Sequence, residues 1–158
     1  MDAITVLKKI HKKNSKRIFL IDDNSNNKIS YKTLDEKANG IGKLLKDFGF
    51  KKGDRITVLL DNSVSTVYFY FGCLYCGISV VPVNSNLSQT EINHIIKNSN
   101  SSGIVLNEDT KDKFSPNLFN NLKTIYLNYT KNKKRKSALN YFINLETLPP
   151  LKKPISFQ

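Results

Sequence analysis

The sequence is poor in the residues that do most protein chemistry. Its 158 residues include two histidines and two cysteines, and its only arginines are Arg17, Arg55 and Arg135. A structural zinc needs four ligands, and His11 and His94 are each isolated from the Cys73/Cys76 pair. That Cys-x-x-Cys spacing also occurs in redox motifs and half zinc sites. Here it sits inside the apolar run Tyr68–Cys76 with no neighbouring cation to stabilise a thiolate, so both thiols are read as small core residues. No apolar run reaches the roughly 20 residues of a membrane helix. The longest candidate, Val64–Val83, is broken by Gly72, Gly77 and Pro82. Ala3–Ile10 is amphipathic rather than uniformly apolar, which does not read as a secretory signal, and a cytoplasmic protein is the expectation.

Catalytic signatures are missing as well. There is no Gly-x-Gly-x-x-Gly, no Gly-x-x-x-x-Gly-Lys-Ser/Thr, no Gly-x-Ser-x-Gly elbow and no His-Glu-x-x-His. His94 is read as a polar helix residue, and His11 as a cation closing the first helix against its dipole. Asp35, Glu36 and Asp61 are read as helix-start residues. The formal charge of +12 is carried almost wholly by lysine, whereas bidentate recognition of phosphate and guanine favours arginine. The abundance of Lys, Asn and Ile together points to an AT-rich coding sequence, so a nucleic-acid partner is not expected. The excess is uneven: from Lys111 onward ten basic residues face only Asp112 and Glu146.

What is present describes one folded domain, 39% hydrophobic and 24% charged. Asp2 caps a first helix with Ala3, Val6, Leu7 and Ile10 as its apolar stripe. Strands are expected at 17–22 and 28–30. Leu34, Ala38, Ile41, Leu45 and Phe48 then mark a helix between Ser30 and Gly49, with Gly40 and Gly42 closely packed inside it. A strand over 56–60 leads to a helix over 64–76 stopped by Gly77. The apolar run Ile78–Val83 fits a strand buried on both faces of a sheet. Ser88-Gln89-Thr90-Glu91 is a capping box opening a helix with Ile92, Ile95 and Ile96. Strands follow at 103–107 and 123–127. Lys131–Lys136 is a charged loop, Ala138–Leu145 a short helix, and Pro149, Pro150 and Pro154 mark a linker. The alternation of strand and helix predicts an α/β fold, a mostly parallel sheet flanked by helices.

One stretch resembles a known family. Ile29-Ser30-Tyr31, the helix through Ala38 and Leu45, Gly49–Val58, Asn62, Gly72 and Gly77 open it. Val80-Val81-Pro82-Val83-Asn84, Leu87–Ile92 and Ser99–Val105 follow in order and natural spacing. Together, over about Ile18–Asn107, they resemble the start of the adenylate-forming (AMP-binding) enzymes. That superfamily includes acyl-CoA synthetases, aryl-CoA ligases, luciferases and amino-acid adenylation domains. The resemblance implies that residues 1–130 are a partial N-terminal subdomain, and that 131–158 form a basic loop and linker leading toward an ATP-binding motif. It implies an enzyme that joins a carboxylic acid to AMP using ATP and Mg²⁺, then passes the acyl group to CoA or to the phosphopantetheine of a carrier protein. Asn84, Leu87-Ser88 and Glu91-Ile92 are similar to the acyl- and aryl-CoA ligase style, which favours a fatty or aromatic acid over an amino acid.

The family's Ser/Thr-Gly-rich loop, its adenine- and ribose-binding segments and its lid lysine have no counterpart among these residues. The resemblance therefore implies no catalytic, cofactor-binding or metal-binding residue here, and names the ATP-binding core and C-terminal lid of the enzyme as partners. A chain of this kind is expected to be inactive alone. The alternatives are a non-catalytic interaction module that kept the scaffold and uses Lys131–Lys136, and a fragment of an amino-acid adenylation domain.

Overall fold

Among the described residues, five strands form one all-parallel sheet, and two others pair separately as an antiparallel ribbon. The structure, a computed structural model, describes residues 3–23, 25–111, 113–115, 121–127, 140–145 and 148. The elements are α1 (Ala3–Lys13), β1 (Ile18–Asp22), β2 (Asn27–Ser30), α2 (Tyr31–Asp47), β3 (Arg55–Leu59) and α3 (Val64–Tyr75). They continue with β4 (Ser79–Pro82), α4 (Gln89–Ser99), β5 (Gly103–Leu106), α5 (Glu108–Lys111), β6 (Lys123–Leu127) and β7 (Asn140–Ile143). The large sheet runs β4-β3-β5-β6-β7.

The strands show a period of two. Ile56, Val58, Val105, Ile125, Leu127 and Ile143 face one side, where they pack with Leu34, Ile41 and Leu45 of α2 and Phe69 and Cys73 of α3. Leu59, Ile104 and Leu106 face the other side, against Ile92 and Ile96 of α4, Phe114 and Leu122. A strand with apolar residues on both faces is what a parallel sheet sandwiched between helices requires.

Helix starts follow hydroxyl caps. Ser30, Ser63 and Ser88 each accept the backbone N–H three residues on, and Ser88 with Glu91 completes the capping box in both directions. Gly49 takes φ +77 just past α2, where a side chain would be strained. Gly40 and Gly42 are buried as expected, but the tightest approach of α2 and α3 is at Gly72. A Cβ there would lie 2.5 Å from Ile41 Cγ2, so only glycine lets the helices close.

Four expectations are corrected. β4 is the sheet's edge, with Ser79 and Pro82 exposed and Val80 and Val81 half-buried, rather than a doubly buried strand. Edge placement suits Pro82, which has no N–H to give a further neighbour. Residues 140–143 form a strand instead of a helix, in register with Thr124–Leu127 of β6. Tyr141 stacks on Phe48 with centroids 4.1 Å apart, and Ile143 and Leu145 alternate into the core. Pairing with β6 outweighs a weak local helical pattern. α1 does not use its 3-6-7-10 stripe evenly: Leu7 and His11 turn inward, while Val6 and Ile10 are exposed. His11 is accordingly buried rather than a solvated terminal cation. Lys131–Lys136, Pro149, Pro150 and Pro154 lie outside the described residues.

Candidate functional site

In an open parallel sheet, ligands bind where strand order reverses, outside the carboxyl ends of the strands. Here the chain leaves β3 for β4 on one side and returns to β5 on the other, so the reversal lies between β3 and β5. A cleft of about 290 Å³ opens there, bounded by Leu60, Ser63, Ser65, Thr66, Asn107 and Glu108 with Leu127 at its floor. A second, of about 370 Å³, lies between the ends of β3 and β4 and includes Asp61, Asn62, Tyr70 and Asn84–Asn86.

The polar groups of both clefts mainly shape their own loops. Thr66 Oγ1 donates to the Asp61 carbonyl at 2.7 Å, and Ser85 Oγ to the Asp61 carboxylate at 3.2 Å. Asn84 Oδ1 accepts the Asn86 N–H at 2.9 Å. Asn107 and Thr110 exchange backbone-to-side-chain bonds of 3.1 and 2.9 Å, an Asx-type turn that opens α5. Among the described residues, the ionisable groups lining the clefts are Asp61, Tyr70 and Glu108. Stabilising charge that develops on a phosphate needs cationic or N–H donors aimed at it. A rim whose described charged residues are carboxylates opposes a nucleoside triphosphate. Among the described residues no group of three His, Cys, Asp or Glu side chains converges to hold a metal. The described residues therefore do not fit ATP or its Mg²⁺.

The most connected titratable cluster lies elsewhere. His11 Nδ1 is 2.7 Å from Tyr75 Oη, and Tyr75 Oη donates to Asp35 Oδ1 at 2.8 Å. A phenol has one proton. Its donation to Asp35 means that it accepts from His11, which assigns the proton of neutral His11 to Nδ1. Burial lowers the His11 pKa, opposed by Asp35. Burial and then the Asp35 bond raise that of Tyr75. The cluster pins α1 to α2 and α3, and is walled by Tyr31 and Phe71 at 5.4 and 5.8 Å from the His11 ring. No sequence pattern links positions 11, 35 and 75, since only the packing of three helices brings them together. Asp35 thus has a tertiary role that its helix-start position did not reveal.

The remaining sequence candidates fall where expected. Cys73 and Cys76 are free and buried. Burial pushes the Cys73 thiol well above its usual range and Cys76 to about 12, so neither is a nucleophile at neutral pH. His94 is exposed on α4, bonded to Asn98 at 3.2 Å.

The fold has counterparts among solved structures. Coronafacic acid ligase from Pectobacterium brasiliense superposes with a TM-score of 0.75 at 24% identity, over 100% of this chain and 31% of that one. A benzoate CoA ligase from Burkholderia xenovorans LB400 gives 0.73 at 15% identity, over 100% and 31%. The family model described as AMP-binding enzyme matches residues 7–145. The chain belongs to that AMP-binding enzyme family, as the scaffold residues of Ile18–Asn107 imply. Crotonobetaine/carnitine–CoA ligase of Salmonella paratyphi A is 36% identical over 76 residues, covering 48% of this chain. The match covers 15% of the length of that relative.

Proposed function

We propose that this chain is the N-terminal part of an ATP-dependent adenylate-forming ligase. That enzyme would activate a carboxylic acid as acyl-AMP and pass it to CoA or a carrier thiol. The observation that carries the reading is the match to the AMP-binding enzyme family over residues 7–145. The role of these residues is scaffolding: 1–130 supply a subdomain layer and 131–158 lead onward. ATP, Mg²⁺ and the acceptor thiol are assigned to the ATP-binding core and lid, a reading supported by the clefts at this sheet's carboxyl edge, whose described charged residues are Asp61 and Glu108. A fatty or aromatic acid is favoured over an amino acid. The Asn84, Leu87-Ser88 and Glu91-Ile92 pattern supports this, as do the fatty acyl and benzoate groups in the names of two similar enzymes.

Acid-dependent pyrophosphate exchange tests the proposal. Purified 1–158 is expected to show none with benzoate or a fatty acid, and exchange by the isolated chain would overturn the scaffolding role. Supplying the ATP-binding core and lid of an acyl-CoA ligase in trans should give exchange that depends on this chain. Absence of any such dependence, with the two parts shown to associate, would count against the ligase reading.

A further inference from the structure

The N-terminal part of the molecule combines branched aliphatic residues exposed to water with a lysine-rich stretch of chain. From Ala3 to Ile21 there is no Asp or Glu, while Lys8, Lys9, Lys12, Lys13, Lys16 and Arg17 are all basic. α1 docks through Leu7 and His11, so Val6 and Ile10, one turn apart, stay 40% and 41% exposed beside exposed Lys9 and Lys13. β1 has a register shift between Ile18 and Leu20. The extra residue lets Phe19 and Leu20 both turn toward the protein and leaves Ile18 and Ile21 outside, 50% and 54% exposed. Ile21 sits opposite Lys28 across the ribbon. The turn between helix and strand is closed by the Arg17 N–H donating to the Asn14 carbonyl at 2.8 Å.

We propose that the outer sides of α1 and β1 dock on an anionic lipid bilayer. Val6, Ile10, Ile18 and Ile21 enter the headgroup–acyl boundary, and the lysines reach lipid phosphates and carboxylates. Charge complementarity selects this occupant. Juxtaposed basic residues are attracted to anionic leaflets, and lysine stems lie along apolar surface while their ammonium groups stay in the polar layer. A second copy would set one basic face against another on a chain of formal charge +12. A nucleic acid is read by arginine and stacked on aromatics, but the aromatics here are turned inward, Phe19 lying 5.1 Å from Tyr31 and 5.5 Å from Phe71. Docking is peripheral, since among the described residues no helix is long and apolar enough to cross a membrane. The inference rests on α1 and β1 and is independent of the adenylation reading.

Vesicle flotation of the 158-residue chain tests it. The chain should float with phosphatidylcholine vesicles carrying about one-third phosphatidylserine and remain unbound with phosphatidylcholine alone. Raising salt from ~0.1 M to ~1 M, which shortens the screening length from ~10 Å to ~3 Å, should release it. Each lysine near an anionic surface contributes roughly fivefold in partitioning. Lys12→Gln, Lys13→Gln and Lys16→Gln together should therefore weaken binding about a hundredfold. Val6→Ser, Ile10→Ser, Ile18→Ser and Ile21→Ser together should weaken it at least about tenfold. Hydrogen exchange on the unmodified protein should show vesicle-dependent protection confined to α1 and β1, a readout that does not depend on how the variants fold. Equal binding to neutral vesicles, no binding to either kind, protection elsewhere, or loss only on neutralising Lys131–Lys136 would each overturn the proposal.

Discussion

The two faces of the parallel sheet are built from alternate residues of the same strands, yet differ in depth and polarity. On one face α2 and α3 bury Leu34, Ile41, Leu45 and Phe69 with no exposure, and the helices close to contact at Gly72. On the other, α4 contributes Ile92 and Ile96, and the contact includes a hydroxyl chain. Thr57 Oγ1 donates to Ser101 at 2.9 Å, and Ser101 lies 2.8 Å from Ser99. The first face rests mainly on close packing of α2 against α3. The second is a thinner layer whose buried hydroxyls are satisfied one by one, as burial demands.

The largest test of that contrast is Phe69→Ala, expected to cost about 3–5 kcal/mol by chemical denaturation. Ile96→Ala, on the thinner face and 7% exposed, should cost about 2 kcal/mol. Equal losses would erase the distinction between the faces. Gly72→Ala should cost about 1–3 kcal/mol by overpacking. In a double-mutant cycle Ile41→Ala should couple favourably with it, because that change removes the Cγ2 that the added Cβ would meet.

Tyr75→Phe removes the hydroxyl that bridges His11 and Asp35 and should cost about 1–2 kcal/mol. The same cluster sets a pH dependence. His11 has its pKa lowered by burial below the ordinary 6.5, so folding favours the neutral ring. That contribution is whole above about pH 6.5 and is lost as pH falls through the folded-state value. Denaturation midpoints measured across this range should fall toward acid, and His11→Asn should flatten that part of the profile. The smallest expected effect is Ser88→Ala, about 1 kcal/mol from the capping box of α4. Loss of protection confined to α4 by hydrogen exchange would show that the second face yields locally, and a global change would show that both faces unfold as one.

Much of the fold was legible because its signals are local. The Ser88–Glu91 box, the Leu34–Leu45 stripe and the Gly49 stop each lie within one turn or one helix, and each appears where its pattern requires. The misread elements all depended on distant partners. Ile78–Val83 is as apolar as a central strand, but whether a strand has one neighbour or two is a property of the sheet. Asn140–Ile143 is too short for its own periodicity to decide between helix and strand, and the free side of β6 decided it. At the candidate site, the sequence placed Asp61 at a helix start. It did not reveal that Asp61 and Glu108 would border the clefts at the strand ends.

By itself, then, the sequence determined the element order, the caps, the parallel α/β class and the family, because propensity, capping and alternation act over a few residues. Only the tertiary structure decided which strand is the edge and which side of α1 is buried. It also decided that His11, Asp35 and Tyr75 share one set of hydrogen bonds. These outcomes depend on contacts between residues tens of positions apart, whose energies exist only once the helices have closed on the sheet.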